Sequence, residues 1–257
     1  MKVKDDTNFY LSDEVYNSSY LKAGQKIKLT NKETWVTINS VNKENGLQAI
    51  AVVPLKDYKD YNNGKLKKYT HIVFVSRGSE ELNDWKENLG LVVKEDDKEG
   101  QFKVYDKFVN DTLGKFKTQD YSFTGHSLGG GLAQYEAVKH LKPAVTFAAA
   151  RAFNKLTDKE QKKALNVEYW DLIKDYYHSD DVVGMLPPNA EVFYRQYLMK
   201  RNSSENNLDK FEEFYDENRK TIQKLNGFKE EVISAALAFN NKDKELGNWI
   251  KENSKGW

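Results

Sequence analysis

Residues 121–134 read Tyr-Ser-Phe-Thr-Gly-His-Ser-Leu-Gly-Gly-Gly-Leu-Ala-Gln. At their centre, Gly125-His126-Ser127-Leu128-Gly129 is a G-x-S-x-G pentapeptide. A β-rich run (Tyr121, Phe123, Thr124) leads into it, and helix formers (Leu132, Ala133, Gln134, Tyr135, Glu136, Ala137) lead out. Strand, tight turn and helix in that order fit a nucleophile elbow. A serine at such a turn projects its hydroxyl above the sheet edge, toward the positive end of the next helix. Glycines two residues either side let the backbone pass without Cβ clashes. The plainer reading is a glycine-rich turn with an incidental serine. The flanking strand and helix favour the elbow.

The neighbouring segments predict the sheet around it. A short helix is expected over residues 12–22, with Ser12 as N-cap. Strands are expected at Lys26–Leu29, Trp35–Ile38 and Leu47–Val53, with Asn45-Gly46 as a hairpin turn. Residues 56–68 read as a polar loop. His71-Ile72-Val73-Phe74-Val75 is a continuous apolar run, as in a central parallel strand. A helix is expected from about Asn83, and another over 103–117 with Val104, Phe108, Val109, Thr112, Leu113 and Phe116 as its apolar stripe. Strands follow at Ala144–Ala148 and within 167–177. The alternation implies an α/β fold with a mostly parallel central sheet and helices on both faces. Residues 1–201 form that domain. Residues 202–257 are highly charged and helix-prone, and read as two or three amphipathic helices that cover the sheet or meet a partner.

Composition bounds the function. The chain has 257 residues, with 40 basic and 39 acidic side chains and a net charge of +1. Such a balance gives no nucleic-acid footprint. No cysteine is present, which excludes disulfides, thiolate catalysis and cysteine-based zinc sites. The start, Met1-Lys2-Val3-Lys4-Asp5-Asp6, lacks an apolar signal core, and no apolar run approaches membrane-spanning length. The expectation is a cytoplasmic protein, or one exported without a signal peptide.

Two further segments carry chemistry. In Ile72–Trp85 a buried strand runs into the polar turn Ser76-Arg77-Gly78-Ser79. An acyl-transfer enzyme needs two donors aimed at a developing oxyanion. One is the backbone N–H of Leu128, directly after the serine. The other can come from Ser79, which offers a backbone N–H and a hydroxyl. The plainer role for Ser79 is to cap the next helix. Arg77 reads as structural. Leu82 and Trp85 lie in a short apolar helix beside the crevice, placed to act as a lid. The third segment, Tyr176–Pro188, ends a strand in the paired aspartates Asp180-Asp181, which read as turn residues or as a carboxylate that orients a histidine base.

Together these segments resemble the class 3 lipase family of α/β-hydrolases over roughly residues 45–190. The strand plus Arg77-Gly78-Ser79 is similar to that family's oxyanion strand, and Gly125–Gly130 to its elbow. Thr146–Asn154 resembles the strand after the elbow helix, with Ala150 where the family has proline. Asp181-Val182-Val183-Gly184-Met185-Leu186-Pro187 is similar to the family's acid loop, Asp-Pro-Val-Pro-x-Leu-Pro, with valine and glycine in place of the inner prolines. The resemblance implies hydrolysis of carboxylic esters of lipids, with Ser127 as nucleophile, Asp181 as acid, and Ser79 and Leu128 as oxyanion donors. It implies no metal and no organic cofactor.

Family order is serine, aspartate, histidine. The four histidines here are His71, His126, His140 and His178, and none follows Asp181. His126 lies inside the elbow and should face away from the serine. His71 should start its strand at the opposite sheet edge, and His140 should lie far down the elbow helix. His178 alone lies near the right edge. The segment Glu205–Phe211 stands where the family has its histidine, and Asn206 or Asn207 holds that place. Asparagine can hydrogen-bond but cannot take a proton at neutral pH. Three readings follow. The chain is a lipase-like hydrolase of glycerolipid or phospholipid esters, a silent relative that binds acyl lipid, or an interaction module whose helical C-terminus docks a partner such as a chaperone or immunity protein.

Overall fold

The computed structural model describes residues 3–78, 100–165, 172–178, 192 and 194–199. All lie within the compact unit Met1–Arg201, one of two in the chain. The expected C-terminal helices, the segment carrying Leu82 and Trp85, Ser79, Asp181, Asn206 and Asn207 lie outside the described residues.

Eight strands form one sheet in chain order: β1 (Lys26–Lys28), β2 (Thr34–Asn42), β3 (Gln48–Pro54), β4 (Ile72–Ser76), β5 (Tyr121–His126), β6 (Ala144–Phe147), β7 (Ile173–His178) and β8 (Arg195–Met199). The first three pairings, β1 through β4, are antiparallel. The four from β4 to β8 are parallel. Short hairpin turns join β1 to β2 and β2 to β3, and the longer connection from β3 to β4 carries a helix over Leu55–Asn62. The parallel pairings need crossover chain, which includes helices α3 (Gln101–Lys115) and α4 (Leu128–His140). The result is an α/β-hydrolase-like sheet, parallel around the elbow.

Side-chain alternation gives the sheet two dry faces. Ile72 and Phe74 of β4, with Ala49, Ala51 and Val53 of β3, join Leu132, Ala133 and Ala137 of α4 on one face. There Phe74 stacks on Phe123 at 5.5 Å between centroids and meets Phe108 of α3 edge-on at 6.1 Å. Each such pair adds about 0.5–1.5 kcal/mol beyond simple burial. Val73 and Val75 point the other way, into a cluster with Ile50, Val52, Trp35 and Leu11 of helix α1 (Asp5–Glu14).

Several local readings are corrected. The first helix spans Asp5–Glu14, not 12–22. Asp5 and Asp6 occupy its first turn, where carboxylates favour the helix dipole. Ser12 is no cap: its hydroxyl donates to the Asn8 carbonyl within the helix. The polar stretch 56–68 contains a helix, α2 (Leu55–Asn62). Tertiary contacts hold it, because Tyr61 stacks on Tyr69 at 4.3 Å and Asp57 accepts from the Thr70 N–H at 2.8 Å. Asn45-Gly46 does turn the β2–β3 hairpin, with Gly46 at φ 83° and its N–H on the Lys43 carbonyl.

Candidate active site

Ser127 stands between the end of β5 and the start of α4, at φ 57° and ψ −128°. A side chain rarely adopts that backbone, which costs on the order of 1–3 kcal/mol. The surrounding hydrogen bonds impose it. The Ser127 N–H donates to the Phe147 carbonyl at 3.0 Å, and its carbonyl accepts from Gly131 and Ala150. The residue is 1% exposed, and its Oγ has no hydrogen-bond partner among the described residues. Leu128 supplies the first amide of α4, one of the four that a helix leaves unpaired at its start.

Two glycines explain how the pieces fit. A Cβ on Gly129 would collide with the Ser76 carbonyl oxygen, so the first turn of α4 can press onto the end of β4 only with glycine there. The Ser76 hydroxyl donates to the Gly129 carbonyl at 2.7 Å, which locks that contact. A Cβ on Gly78 would lie 3.0 Å from the Ser127 Cβ, 2.8 Å from the His126 carbonyl and 2.6 Å from the Tyr16 hydroxyl. The turn after β4 therefore abuts the elbow serine. Two of the three segments picked out in the sequence meet in space.

Arg77 supports that turn. It is buried, donates to the Gln48 side chain and lies over the Tyr16 ring at 5.0 Å. The Tyr16 hydroxyl is 2.9 Å from Nδ1 of His126, which places His126 in a structural contact. Behind the elbow, Asp175 of β7 is fully buried. Its Oδ1 accepts from the Thr146 hydroxyl at 2.8 Å and from the Ala149 N–H at 3.2 Å. Gln134 of α4 donates to Thr146 at 3.0 Å. This polar chain fixes the turn after β6, where Ala148 has φ 48°. The sequence reading missed Tyr16, Gln48 and Asp175. A buried-type strand carrying one aspartate, Ile173–His178, was the available signal for Asp175.

The histidines separate by sheet edge. His71 precedes β4 and bonds Ser122 at 2.8 Å, at the amino end of β5. Five residues of strand, about 16 Å, divide Ser122 from Ser127. Burial holds the His71 pKa down, to about 4. His140 ends α4, a 13-residue helix about 20 Å long. It bonds the Tyr121 hydroxyl at 3.0 Å. Neither reaches Ser127. The backbone of His178 lies at the carboxyl end of β7, opposite Met199. Since His126 pairs with Phe147 and Phe147 with Tyr176, His178 ends its strand on the same edge as the elbow, two strand spacings away, about 10 Å.

No helix among the described residues is long and apolar enough to cross a membrane. No curated protein matches the chain. Among solved structures, the crystal structure of M37 lipase aligns at a TM-score of 0.45 and 13% identity, over 72% of this chain and 70% of that one. The family model of the phospholipase-like Tle-like phospholipase domain matches residues 8–210. That span holds the elbow, the turn after β4 and the whole parallel sheet. The match carries the lipase and phospholipase character of the class 3 resemblance, without that narrower family. With most of its length in the match, the chain belongs to the Tle-like phospholipase domain family.

Proposed function

We propose that this protein hydrolyses a carboxylic ester of a phospholipid or related glycerolipid, with Ser127 as nucleophile. The observation that carries the reading is the backbone of Ser127, held at φ 57° between β5 and α4. Strain of this kind persists where surrounding structure enforces it, and it turns the hydroxyl toward the carboxyl edge of the sheet. The Leu128 N–H and Ser79 serve as oxyanion donors. Contact between Gly78 and Ser127 supports the second, because Ser79 follows directly. Asp181 acts as triad acid. The segment from Glu80 to Leu91, with Leu82 and Trp85, closes over an acyl pocket.

The general base is His178, or its place is held by Asn206 or Asn207. With asparagine there, hydrolysis is weak, since removing a triad member leaves only the contribution of the oxyanion hole and binding. A second reading is supported by the Ser127 Oγ, which meets no imidazole among the described residues. In that reading the chain binds acyl lipid without turnover. A helical C-terminus that docks a protein partner is the third role.

Fluorophosphonate labelling, followed by release of fatty acid from phosphatidylcholine vesicles, tests the proposal. Labelling that is lost in Ser127→Ala supports the hydrolase. Vesicle binding with neither labelling nor fatty-acid release supports the silent relative. Loss of partner association on removal of residues 209–257, with no lipid response, supports the third role.

A further inference from the structure

At the far end of α4 from the elbow, three potential metal ligands converge on the seam between α3 and α4. They are Asp106 of α3 and Glu136 and His140 of α4, and one donor atom of each lies within 4.8 Å of the others. Glu136 and His140 are one helical turn apart, so both side chains face the same way. His140 Nε2 lies 3.1 Å from Glu136 Oε2. Its other nitrogen, Nδ1, is 3.0 Å from the Tyr121 hydroxyl. That contact fixes the ring with Nε2 toward the carboxylates, as outer partners do for metal-binding histidines.

The second observation is Glu136 itself. It is 0% exposed, Oε1 meets no donor, and Oε2 has only the His140 Nε2 beside it, at 3.1 Å. Buried carboxylate oxygens ordinarily gather several donors. Here the nearest cationic group to Asp106 is Lys139, whose Nζ sits 2.7 Å from Asp106 Oδ1. Asn110 also donates to Oδ1 at 3.2 Å. Both contacts fall on Oδ1, which leaves the lone pairs of Oδ2 for a metal or for water.

We propose that Asp106, Glu136 and His140 bind a zinc-class divalent ion that clamps α3 to α4. One imidazole with two carboxylates suits zinc, while calcium and magnesium take oxygen ligands. Tetrahedral zinc with bonds of about 2.1 Å sets its donors about 3.4 Å apart. The Glu136–His140 pair, at 3.1 Å, is already close to that spacing, and all three donors lie within 4.8 Å of one another. Solvent reaches the cluster through Asp106 and His140, whose side chains are 29% and 15% exposed. The ion is structural. Its ligands on α4 stand about 14 to 20 Å from Ser127 along the helix, and it takes no part in ester chemistry, for which the lipase resemblance implies no metal.

The test uses the full chain, stripped with a chelator and titrated with Zn²⁺ by calorimetry, with Co²⁺ absorption to report ligand geometry. One ion per chain is expected, together with a rise in Tm. His140→Asn and Asp106→Asn, both at the partly exposed rim, should each weaken binding at least tenfold and remove the Tm rise. Glu136→Gln should do the same where it folds. Lys139→Met, which removes the competing ammonium, should strengthen binding. Absence of micromolar zinc binding overturns the proposal. So does binding that is unchanged in both rim variants.

Discussion

The Tyr16 hydroxyl sits between two pieces of the candidate active site, 2.9 Å from Nδ1 of His126 and against the backbone of Gly78. Burial pushes its pKa up, and the Gly78 N–H pulls it part of the way back. Tyr16 thus stays neutral and ties the end of β5 to the turn after β4. Tyr16→Phe keeps the ring under Arg77 and removes only the tie. We expect the fold to survive and fluorophosphonate labelling of Ser127 to slow by roughly 2- to 12-fold, the value of one hydrogen bond. An unchanged rate would remove Tyr16 from the positioning machinery.

Ser127 should trade stability for function. Ser127→Gly relieves a backbone strain of about 1–3 kcal/mol, offset by about 0.5–1 kcal/mol of glycine entropy. Chemical denaturation should show a net gain of roughly 1 kcal/mol. Ser127→Ala keeps the strain and removes a buried hydroxyl, so its stability should change little or rise. Both variants should lose all labelling and esterase activity. Turnover that survives in either variant sinks the nucleophile assignment.

The base can be settled by gain as well as by loss. Histidine installed in Asn206→His or Asn207→His should raise hydrolysis by orders of magnitude if asparagine holds the base position. In that case His178→Ala should change little. If the chain is already fast and His178→Ala abolishes the activity, His178 is the base. Ser79→Ala, measured on the faster protein, should cost about 10- to 1000-fold.

Acid stability should depend on His71. Its pKa is held at about 4 by burial, against about 6.5 when unfolded. Between those values the unfolded chain binds the proton and the folded chain does not. Stability from a neutral His71 is therefore complete above about pH 6.5 and is lost as the pH falls toward 4, by at most about 3 kcal/mol. Urea denaturation of the parent protein and of His71→Gln across that window should show a shallower slope for the variant. Parallel slopes would mean that other groups set the acid limb.

The elbow was legible because its chemistry is local. Gly125, Ser127 and Gly129 fall at fixed spacing, and the strand and helix announce themselves on either side. The partners that hold it were not. Tyr16 and Gln48 reach the turn after β4 from distant parts of the chain, and no periodicity marks such contacts. The α2 helix was hidden for a related reason: its charged sequence looks like a loop, and only Tyr69 and Thr70 show what stabilises it. The helix at Asp158–Ala164, by contrast, carries a local mark. Thr157 and Glu160 form a capping box, visible as Thr-x-x-Glu.

The placement of α1 has a consequence for how the chain is made. The Ser12 hydroxyl lies 2.8 Å from that of Thr124, across 112 residues of sequence. At about 5–20 residues per second, the ribosome delivers Thr124 roughly 6 to 22 s after Ser12. Until then Leu11 and Val15 have only their early neighbours, and the far face of the parallel strands has no cover. Helix α1 is thus made well before the strands it covers, and its buried face waits for them.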